Sequence, residues 1–448
     1  MRVNASCHTP GRISNRKIRE TFTLRGGTRY GGFNALSDFV RAQGIDHALT
    51  TAFGADKAPW ATYTLPDTLR HLLDGYLLGV ERIWHFAELE QEPLLCVKRN
   101  RDRLPDFTLL YRELARFDSA AMLGRLRAVG EALVRRAVAA QTWYTLDCDS
   151  TVETLYGRQE GARLGPNAHK RGRLSYHPLL CRERKSGLVI HSRLRPGDTN
   201  TASGAVDFLI QSVARLPHAR GRTVLLRGDR GFDIAALYAE CERRGWHYVV
   251  KLRVMADVAT RIWAHANTGH WQRINDDADA PVEVSALRLP RQCWTHARRV
   301  VLMRRRDPEN PQGHLWDAAG YNYAAYVTDL DWAPADIVAF YDKRADMEKA
   351  IHELKEDFGI DRIASSQFGA NAADLELKTL AFNLLVLYQR QALGWAVRRR
   401  AQTLRRQVIA VAGQLIRTAG QWVLKLAADG TTPASLRRVR RQLAALGP

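Results

Sequence analysis

The sequence is poor in cysteine and has no long apolar run. Its six cysteines stand far apart without a CxxC pair, which argues against a zinc knuckle or a disulfide framework. We therefore expect reduced cysteines with structural roles. The longest apolar stretch, residues 379–388, is interrupted by Asn383 and is shorter than the run of about 18 residues that can span a bilayer. The basic first residues lack the apolar segment of a signal peptide, so we expect a cytoplasmic protein with no membrane partner.

Acidic residues are also in deficit. The 448 residues contain 67 Lys and Arg against 47 Asp and Glu, which gives a net charge of +20 and an isoelectric point near 10.0. Such an excess points to a polyanionic partner, either nucleic acid or a membrane surface. The hydrophobic content of 46% is ordinary for a globular protein, and the length suggests about three structural units.

The periodicity of apolar residues divides the chain into five regions. Residues 1–140 are predicted to be helical. We interpret them as a DNA-binding region, because the basic turn at residues 97–108 can dock a helix on duplex DNA; a solvated loop is the alternative. From 141 to 254 the order is β-β-β-α-β-α-β, which predicts an α/β sheet with helices on its faces. Residues 255–335 have strand periodicity and scattered tryptophans, so we interpret them as an inserted β-rich subdomain. Residues 336–395 return to helix, and 396–448 are predicted to be a basic helical region.

Two stretches place acidic residues near the ends of strands. In WYTLDCDST, residues 143–151, alternation puts Asp147 and Asp149 on one face of a predicted core strand. Asp229 follows the strand TVLLRG at its carboxyl end, where open α/β sheets bind ligands. Asp149 and Asp229 can each, alternatively, simply cap the turn or helix that follows.

A third acid lies in a charged helical stretch. On a helical wheel with about 100° per residue, five residues between 341 and 355 fall within an arc of roughly 80°. They are Tyr341, Arg344, Glu348, His352 and Lys355. An amphipathic surface helix with i,i+4 ion pairs gives the same pattern. The alternative is a stripe that lines a groove, in which Glu348 meets the two strand-end aspartates.

Three carboxylates at one sheet edge would repel one another unless divalent cations neutralised them. Oxygen ligands without Cys or paired His favour Mg²⁺ or Mn²⁺ over Zn²⁺. Two such ions about 3.5–4 Å apart would activate a water or a 3′-hydroxyl for in-line displacement at phosphorus. In a protein this basic, we expect the phosphorus to belong to DNA.

The same stripe matches a known signature. Tyr341, Arg344, Glu348 and Lys355 fit the pattern Y-x2-R-x3-E-x6-K at every position. The chain thereby resembles the DDE transposases of bacterial insertion sequences, in particular the superfamily of insertion-sequence family four and its thirteen-eighty subgroup. Five further stretches are similar to that subgroup, namely residues 146–162, 176–180, 193–200, 227–233 and 370–385.

The resemblance implies a fold and a set of metal ligands. The fold is an RNase H-like mixed sheet with flanking helices, a β-rich insertion before the last catalytic helix, and helical N- and C-terminal regions. The implied catalytic and metal-binding residues are Asp149, Asp229 and Glu348. Asp147 is a rival for the first position, because it shares the strand face with Asp149.

The resemblance also implies DNA contacts. Tyr341, Arg344 and Lys355 would hold phosphates of the DNA end near the cut. Arg230 would contact the DNA backbone, although a surface ion pair is the alternative. His352 lies outside the signature and is predicted to be a surface histidine. In some relatives a tryptophan of the insertion stacks on a flipped base. The candidates here are Trp263, Trp271, Trp294, Trp316 and Trp332.

The implied function is that of a transposase. It would bind the terminal inverted repeats of an insertion sequence in double-stranded DNA and act as a homodimer at the bacterial nucleoid. It would cleave the ends with two Mg²⁺ ions, for which Mn²⁺ can substitute, and join the 3′ ends to target DNA. A non-catalytic DNA-binding protein and a metal-dependent nuclease without strand transfer are the alternatives.

Overall fold

The computed structural model of the chain describes residues 18–138, 141–167, 170–217, 221–277, 279–306, 321–427 and 432–445. Its first region is helical, as predicted. It consists of strand β1 (Gly27–Thr28), helices α1 (Phe33–Ala42), α2 (Ile45–Phe53) and α3 (Leu65–Leu78), a 3-10 turn (Ile83–Leu89), and helices α4 (Pro93–Arg99), α5 (Phe107–Leu114) and α6 (Ala120–Ala137). Local caps explain several starts. Thr64 and Asp67 form a capping box at α3, Asp106 caps α5 and Ser119 caps α6.

Strands and two helices follow in the predicted order. They are β2 (Trp143–Ser150), three short strands β3 (Glu153–Thr154), β4 (Arg163–Leu164) and β5 (Leu174–Tyr176), then β6 (Leu179–Glu183), β7 (Val189–Arg193), α7 (Ala205–Ala214), β8 (Thr223–Gly228), α8 (Ala235–Arg244) and β9 (His247–Lys251). Strands β7, β6 and β2 are antiparallel neighbours, whereas β8 and β9 run parallel to β2. This is the predicted RNase H-like arrangement, with the buried strand β2 at its centre.

The β-rich region is an extension of the same sheet. Helix α9 (Ala256–Thr268) precedes strands β10 (Gln272–Arg273), β11 (Val282–Leu289), β12 (Arg298–Arg306) and β13 (Tyr321–Thr328). Because β13 pairs antiparallel with the free edge of β9, all of them join one nine-stranded sheet. Strands were correctly predicted here. The predicted β-rich insertion is therefore continuous with the main sheet, and the prediction overlooked helix α9.

The charged stretch from 341 to 355 is not one continuous helix, as the helical wheel assumed. Helix α10 (Pro334–Asp342) ends just before helix α11 (Ala345–Phe358) begins. The buried guanidinium of Arg227 accounts for the break, because it donates hydrogen bonds to the carbonyls of Phe340 and Lys343. The amide of Arg344 donates instead to Tyr341, three residues back, which tightens the turn.

Helix α12 (Phe368–Leu387) is the central element of the core. Nearly all its residues are buried, and it packs against α3, α5, α6, α11 and strand β7. The helical N-terminal region therefore shares its hydrophobic core with the sheet. Four cysteines, Cys96, Cys148, Cys181 and Cys241, are buried, Cys293 is exposed, and all five are unpaired, as predicted; Cys7 lies outside the described residues.

The C-terminal region is not wholly helical, contrary to the prediction. After helix α13 (Ala401–Leu404) come strands β14 (Gly413–Thr418) and β15 (Gln421–Leu426), which form a hairpin and pair with β1, and then helix α14 (Thr432–Ala445). The two residues of the hairpin loop, Ala419 and Gly420, both have positive φ, as a type I′ turn requires. Several arginines of this region bind acids or carbonyls, for example Arg400 with Asp357.

Candidate active site

The sheet brings the first two predicted acids together. Strands β2 and β8 are parallel neighbours in which Cys148 lies opposite Gly228. Asp149 and Asp229 each follow one residue later, so both emerge at the same edge of the sheet. Burial is the largest influence that raises the pKa of the Asp149 carboxyl, and the charges of Asp229 and of Glu348 on helix α11 raise it further. The three predicted acids therefore act on one another electrostatically.

Asp149 is almost completely buried, with 8% of its surface exposed. One carboxylate oxygen accepts a hydrogen bond from the Ser150 amide at 2.8 Å, and the other lies 2.7 Å from a guanidinium nitrogen of Arg344. Burial is the main influence on this carboxyl and raises its pKa to about 6, although Arg344 works in the opposite direction. Asp149 is thus a fixed carboxylate that needs a cation.

Asp147 has a different and fully buried partner. Its two oxygens accept hydrogen bonds from Arg227 at 2.6 and 2.9 Å, and neither side chain is exposed to solvent. This bidentate pair uses both carboxylate oxygens of Asp147, which lies three residues before the end of β2. Asp147 is therefore placed as a structural acid, which leaves Asp149 as the acid of β2 that faces the other two.

Asp229 caps the short 3-10 turn Arg230–Phe232 by accepting a hydrogen bond from the Gly231 amide at 2.9 Å. The capping alternative considered for Asp229 therefore holds for this turn but not for helix α8, which begins at Ala235. The second carboxylate oxygen of Asp229 remains at the sheet edge. Arg230 is exposed, and its side chain has no ion pair or hydrogen bond within the described residues. The surface ion pair considered for Arg230 does not form.

Glu348 lies in the first turn of α11, where a negative charge interacts favourably with the helix dipole. Its side chain is 66% exposed and contacts the Arg344 guanidinium at 2.9 Å. Arg344 itself is only 5% exposed and joins Glu348 to Asp149 through two different nitrogens. One buried cation therefore bridges two of the three predicted metal ligands.

The other signature residues fasten the helices to the strand ends. Tyr341, the last buried residue of α10, donates its hydroxyl to the carbonyl of Gly228 at 3.2 Å. Lys355 donates to the carbonyl of Val152 at 3.0 Å. Both contacts hold α10 and α11 against the segments that carry the two aspartates. His352 is exposed, as predicted.

A hydrogen-bond chain beside the acids was not predicted from the sequence. Nδ1 of His177 faces the carbonyl of Thr199 at 2.6 Å, so this nitrogen carries the proton. Its Nε2 lies 3.0 Å from the Ser150 hydroxyl, which in turn lies 2.8 Å from the Thr201 hydroxyl. Burial lowers the pKa of His177, which favours the neutral ring that this chain requires. The chain steadies Ser150, the neighbour that binds Asp149.

A cleft of about 360 Å³ opens next to Asp229 and is lined by His177, Thr201, Arg230 and Arg253. Arg253 is exposed and, like Arg230, makes no side-chain ion pair within the described residues. Arg253 was not identified from the sequence as a candidate DNA contact. The only signal in the sequence was a basic residue shortly after the carboxyl end of the next parallel strand, β9.

The acids fit a hard divalent cation by their chemistry, because all three offer carboxylate oxygens and their charges oppose one another. Within the described ranges, no three His, Cys, Asp or Glu side chains are close enough together to surround a metal ion in this arrangement. The exposed Glu348 side chain, which now faces Arg344, would have to turn toward Asp149 and Asp229.

The tryptophans of the β-rich region differ in exposure. Trp263 on α9 is 54% exposed, whereas Trp294 is buried. Trp271 packs under the Arg304 guanidinium, and Trp332 packs against Trp143. Trp316 lies outside the described residues. Of the four candidates that are described, Trp263 is therefore the one with an accessible ring face.

A family model described as transposase DDE domain group 1 matches residues 11–448. The chain belongs to this transposase family. Among solved structures, the transposase is similar to the piggyBac transposase in a synaptic complex with hairpin DNA, at 11% identity over 95% of this chain and 88% of that one, with a TM-score of 0.45. A similarity at that level says nothing about activity. No curated protein sequence matches significantly. No helix in the described part of the transposase is long and apolar enough to cross a membrane.

Proposed function

We propose that this DDE transposase binds the terminal inverted repeats of an insertion sequence, cleaves DNA at the ends, and joins the 3′ ends to target DNA. The reactions are phosphodiester hydrolysis and transesterification. The observation that supports the proposal is that Asp149 and Asp229 follow neighbouring parallel strands at one sheet edge, and that Arg344 links Asp149 to Glu348. Two acids from parallel strands and one from a helix start give carboxylates held by rigid elements, as a catalytic site needs.

Asp149, Asp229 and Glu348 would hold two Mg²⁺ ions, for which Mn²⁺ can substitute. Bound there, the ions would activate the attacking water or 3′-hydroxyl and stabilise the leaving oxygen. The protein's part is to fix the carboxylates. Asp149 is fixed by the Ser150 amide and Asp229 by the Gly231 amide, whereas the exposed Glu348 keeps its freedom to rotate.

The DNA backbone would be held by cations around the three acids. Arg230 and Arg253 line the cleft beside Asp229 and are free to contact phosphates. Arg344 would bind a phosphate near the cut, and Tyr341 and Lys355 would add contacts while they hold the helices in place. The net charge of +20 supports a polyanionic partner of considerable length.

Cleavage of two element ends calls for two active sites, so we propose a homodimer as the active assembly. We also propose that it acts on chromosomal DNA at the bacterial nucleoid. The helical N-terminal region is assigned to recognition of the element ends. Trp263 is the described tryptophan that we assign to stacking on a flipped base, because its ring is exposed.

The test is a cleavage and joining assay on a plasmid that carries the element's own ends, with Mg²⁺. The variants are Asp149→Ala, Asp229→Ala and Glu348→Gln, and the matched control is Glu356→Gln, an exposed acid on the same helix. We expect each of the three variants to lose cleavage by at least about a thousandfold while end binding survives. The control should cleave like the natural protein.

The products decide between the proposal and its alternatives. Joined 3′ ends support a transposase, whereas cut ends without joining indicate a nuclease without strand transfer. If the natural protein binds the ends but never cuts with Mg²⁺ or Mn²⁺, the chain is a non-catalytic DNA-binding protein. A Glu348→Gln variant that cuts normally would exclude this acid as a metal ligand.

A further inference from the structure

Arg344 occupies a position that no other cation of the site shares. It lies in the tight turn between α10 and α11 and is 5% exposed. Its two terminal nitrogens contact different carboxylates, Asp149 at 2.7 Å and Glu348 at 2.9 Å. Its Nε atom is buried without a hydrogen-bond partner. The guanidinium is therefore anchored by these two acids alone among the described residues.

Asp149 and Glu348 are also two of the three carboxylates that would hold a divalent cation in the proposed function. A carboxylate oxygen that accepts a short hydrogen bond from a guanidinium has less negative charge available for a metal ion about 2.0–2.1 Å away. The two cations would also repel each other across a few ångströms of buried space. Arg344 and a metal ion therefore compete for Asp149 and Glu348, even though the site must contain both during catalysis.

We propose that Arg344 is a built-in competitor of the metal ions, which is released from Asp149 and Glu348 when a DNA phosphate takes its guanidinium. This inference rests on the proposed function of the same site. Asp149 and Glu348 are then free to bind the metal ions, and the guanidinium of Arg344 binds the DNA phosphate. Metal and DNA consequently bind cooperatively, and by linkage each must raise the affinity of the other by the same factor. Without DNA, the site stays weak for metal.

Of the two acids that Arg344 contacts, Glu348 is the one that is free to move. Glu348 is 66% exposed and lies at the start of a helix, so its rotation toward Asp149 and Asp229 disturbs no packing. Asp149 stays fixed by the Ser150 amide. Arginine suits the position because its planar fork spans two carboxylates, whereas a lysine ammonium is a single point charge.

The test measures Mn²⁺ binding to the full-length protein by electron paramagnetic resonance, with and without a duplex that carries an element end. Without DNA, Arg344→Ala should bind Mn²⁺ at least roughly tenfold more tightly than the natural protein, within the usual range of such couplings. Arg344→Lys should lie between the two. Arg243→Ala removes the same charge from an exposed pair with Glu240 and should change nothing.

Adding the duplex should tighten Mn²⁺ binding to the natural protein and leave Arg344→Ala nearly unchanged. The proposal is overturned if Arg344→Ala binds Mn²⁺ no more tightly than the natural protein, or if DNA raises the affinity of both equally. Should Arg344→Ala fail to fold, the same comparisons with Arg344→Lys decide the question. The Asp229→Asn variant separates failure of this proposal from failure of the proposed function. If that variant binds Mn²⁺ as tightly as the natural protein, Asp229 is not a metal ligand and the proposed metal site is wrong.

Discussion

The buried pair of Asp147 and Arg227 gives the sharpest prediction about how the fold supports the site. Both side chains are completely buried, and Arg227 also donates to the carbonyls of Phe340 and Lys343. Replacing Arg227 by Met leaves the Asp147 carboxylate without its bidentate partner. Arg182 lies 4.0 Å away and offers only weaker compensation.

Removing one partner of a buried ion pair costs about 3–5 kcal/mol. We therefore expect Arg227→Met to lower the free energy of unfolding by at least about 3 kcal/mol, measured by urea denaturation of the full chain. The exposed control Arg243→Met should stay within about 0.5 kcal/mol of the natural protein.

A double variant separates stability from function. Asp147→Leu combined with Arg227→Met removes both charges, and such replacements are often neutral within about 1–2 kcal/mol. Stability should therefore return, but end cleavage should not, because the carbonyls of Phe340 and Lys343 have lost the donor that holds the turn before Arg344. A loss below about 1 kcal/mol in the single variant would show that the buried pair contributes little to stability. Normal cleavage by the double variant would show that Arg227 is not needed to hold the turn before Arg344.

Three further predictions concern single residues. Burial raises the pKa of Glu153 to about 8, so its ionisation lowers the free energy of unfolding as the pH rises from about 4.5 to 8. Glu153→Gln should therefore raise the free energy of unfolding above pH 8 by up to about 5 kcal/mol and have no effect below pH 4. A gain that does not depend on pH would contradict this prediction. His177→Phe removes the acceptor of the Ser150 hydroxyl and should slow cleavage roughly 10- to 100-fold with end binding intact, whereas equal losses in both would point to misfolding. Arg230→Ala and Arg253→Ala should each reduce the slope of log affinity against log salt by about 0.9, measured by fluorescence anisotropy, while Arg243→Ala leaves it unchanged.

Much of the sheet could be predicted from local patterns. The strands β2, β8 and β9 read as short apolar runs, and the helices between them end at glycines or polar turns. The hairpin of β14 and β15 was not predicted, although β-favouring residues such as Ile416, Trp422 and Val423 flank its Ala-Gly turn. The basic composition of that region, 396–448, favoured a helical interpretation, which was wrong.

What the sequence could not supply were contacts between distant segments. The break between α10 and α11 depends on Arg227, which is more than a hundred residues earlier in the chain. The choice between Asp147 and Asp149 depends on the same side chain, because Arg227 occupies one acid and leaves the other. Periodicity carries no information on either point, since it describes one element at a time.

The extension of the sheet by β13 is a further example. Strand periodicity in residues 255–335 was detected, but only the pairing of β13 with β9, which joins Tyr326–Thr328 to Val249–Lys251, shows that these strands continue the main sheet. His177 and Arg253 belong to the same category. His177 lies in residues 176–180, a stretch similar to the insertion-sequence subgroup, but the similarity gave it no role. Arg253 lies in a segment without a distinctive local pattern. Both side chains reach the site through the fold.

In the proposed function, Asp149, Asp229 and Glu348 together hold the catalytic metal. Iron-mediated cleavage of the protein backbone locates that metal. Fe²⁺ is bound in place of Mg²⁺ with an end duplex present, ascorbate and peroxide are added, and the cut sites are mapped by mass spectrometry. We predict cuts close to residues 149, 229 and 348 that excess Mg²⁺ suppresses and that Asp229→Asn abolishes. Cuts confined to other segments, or cuts that persist in Asp229→Asn, would contradict the claim.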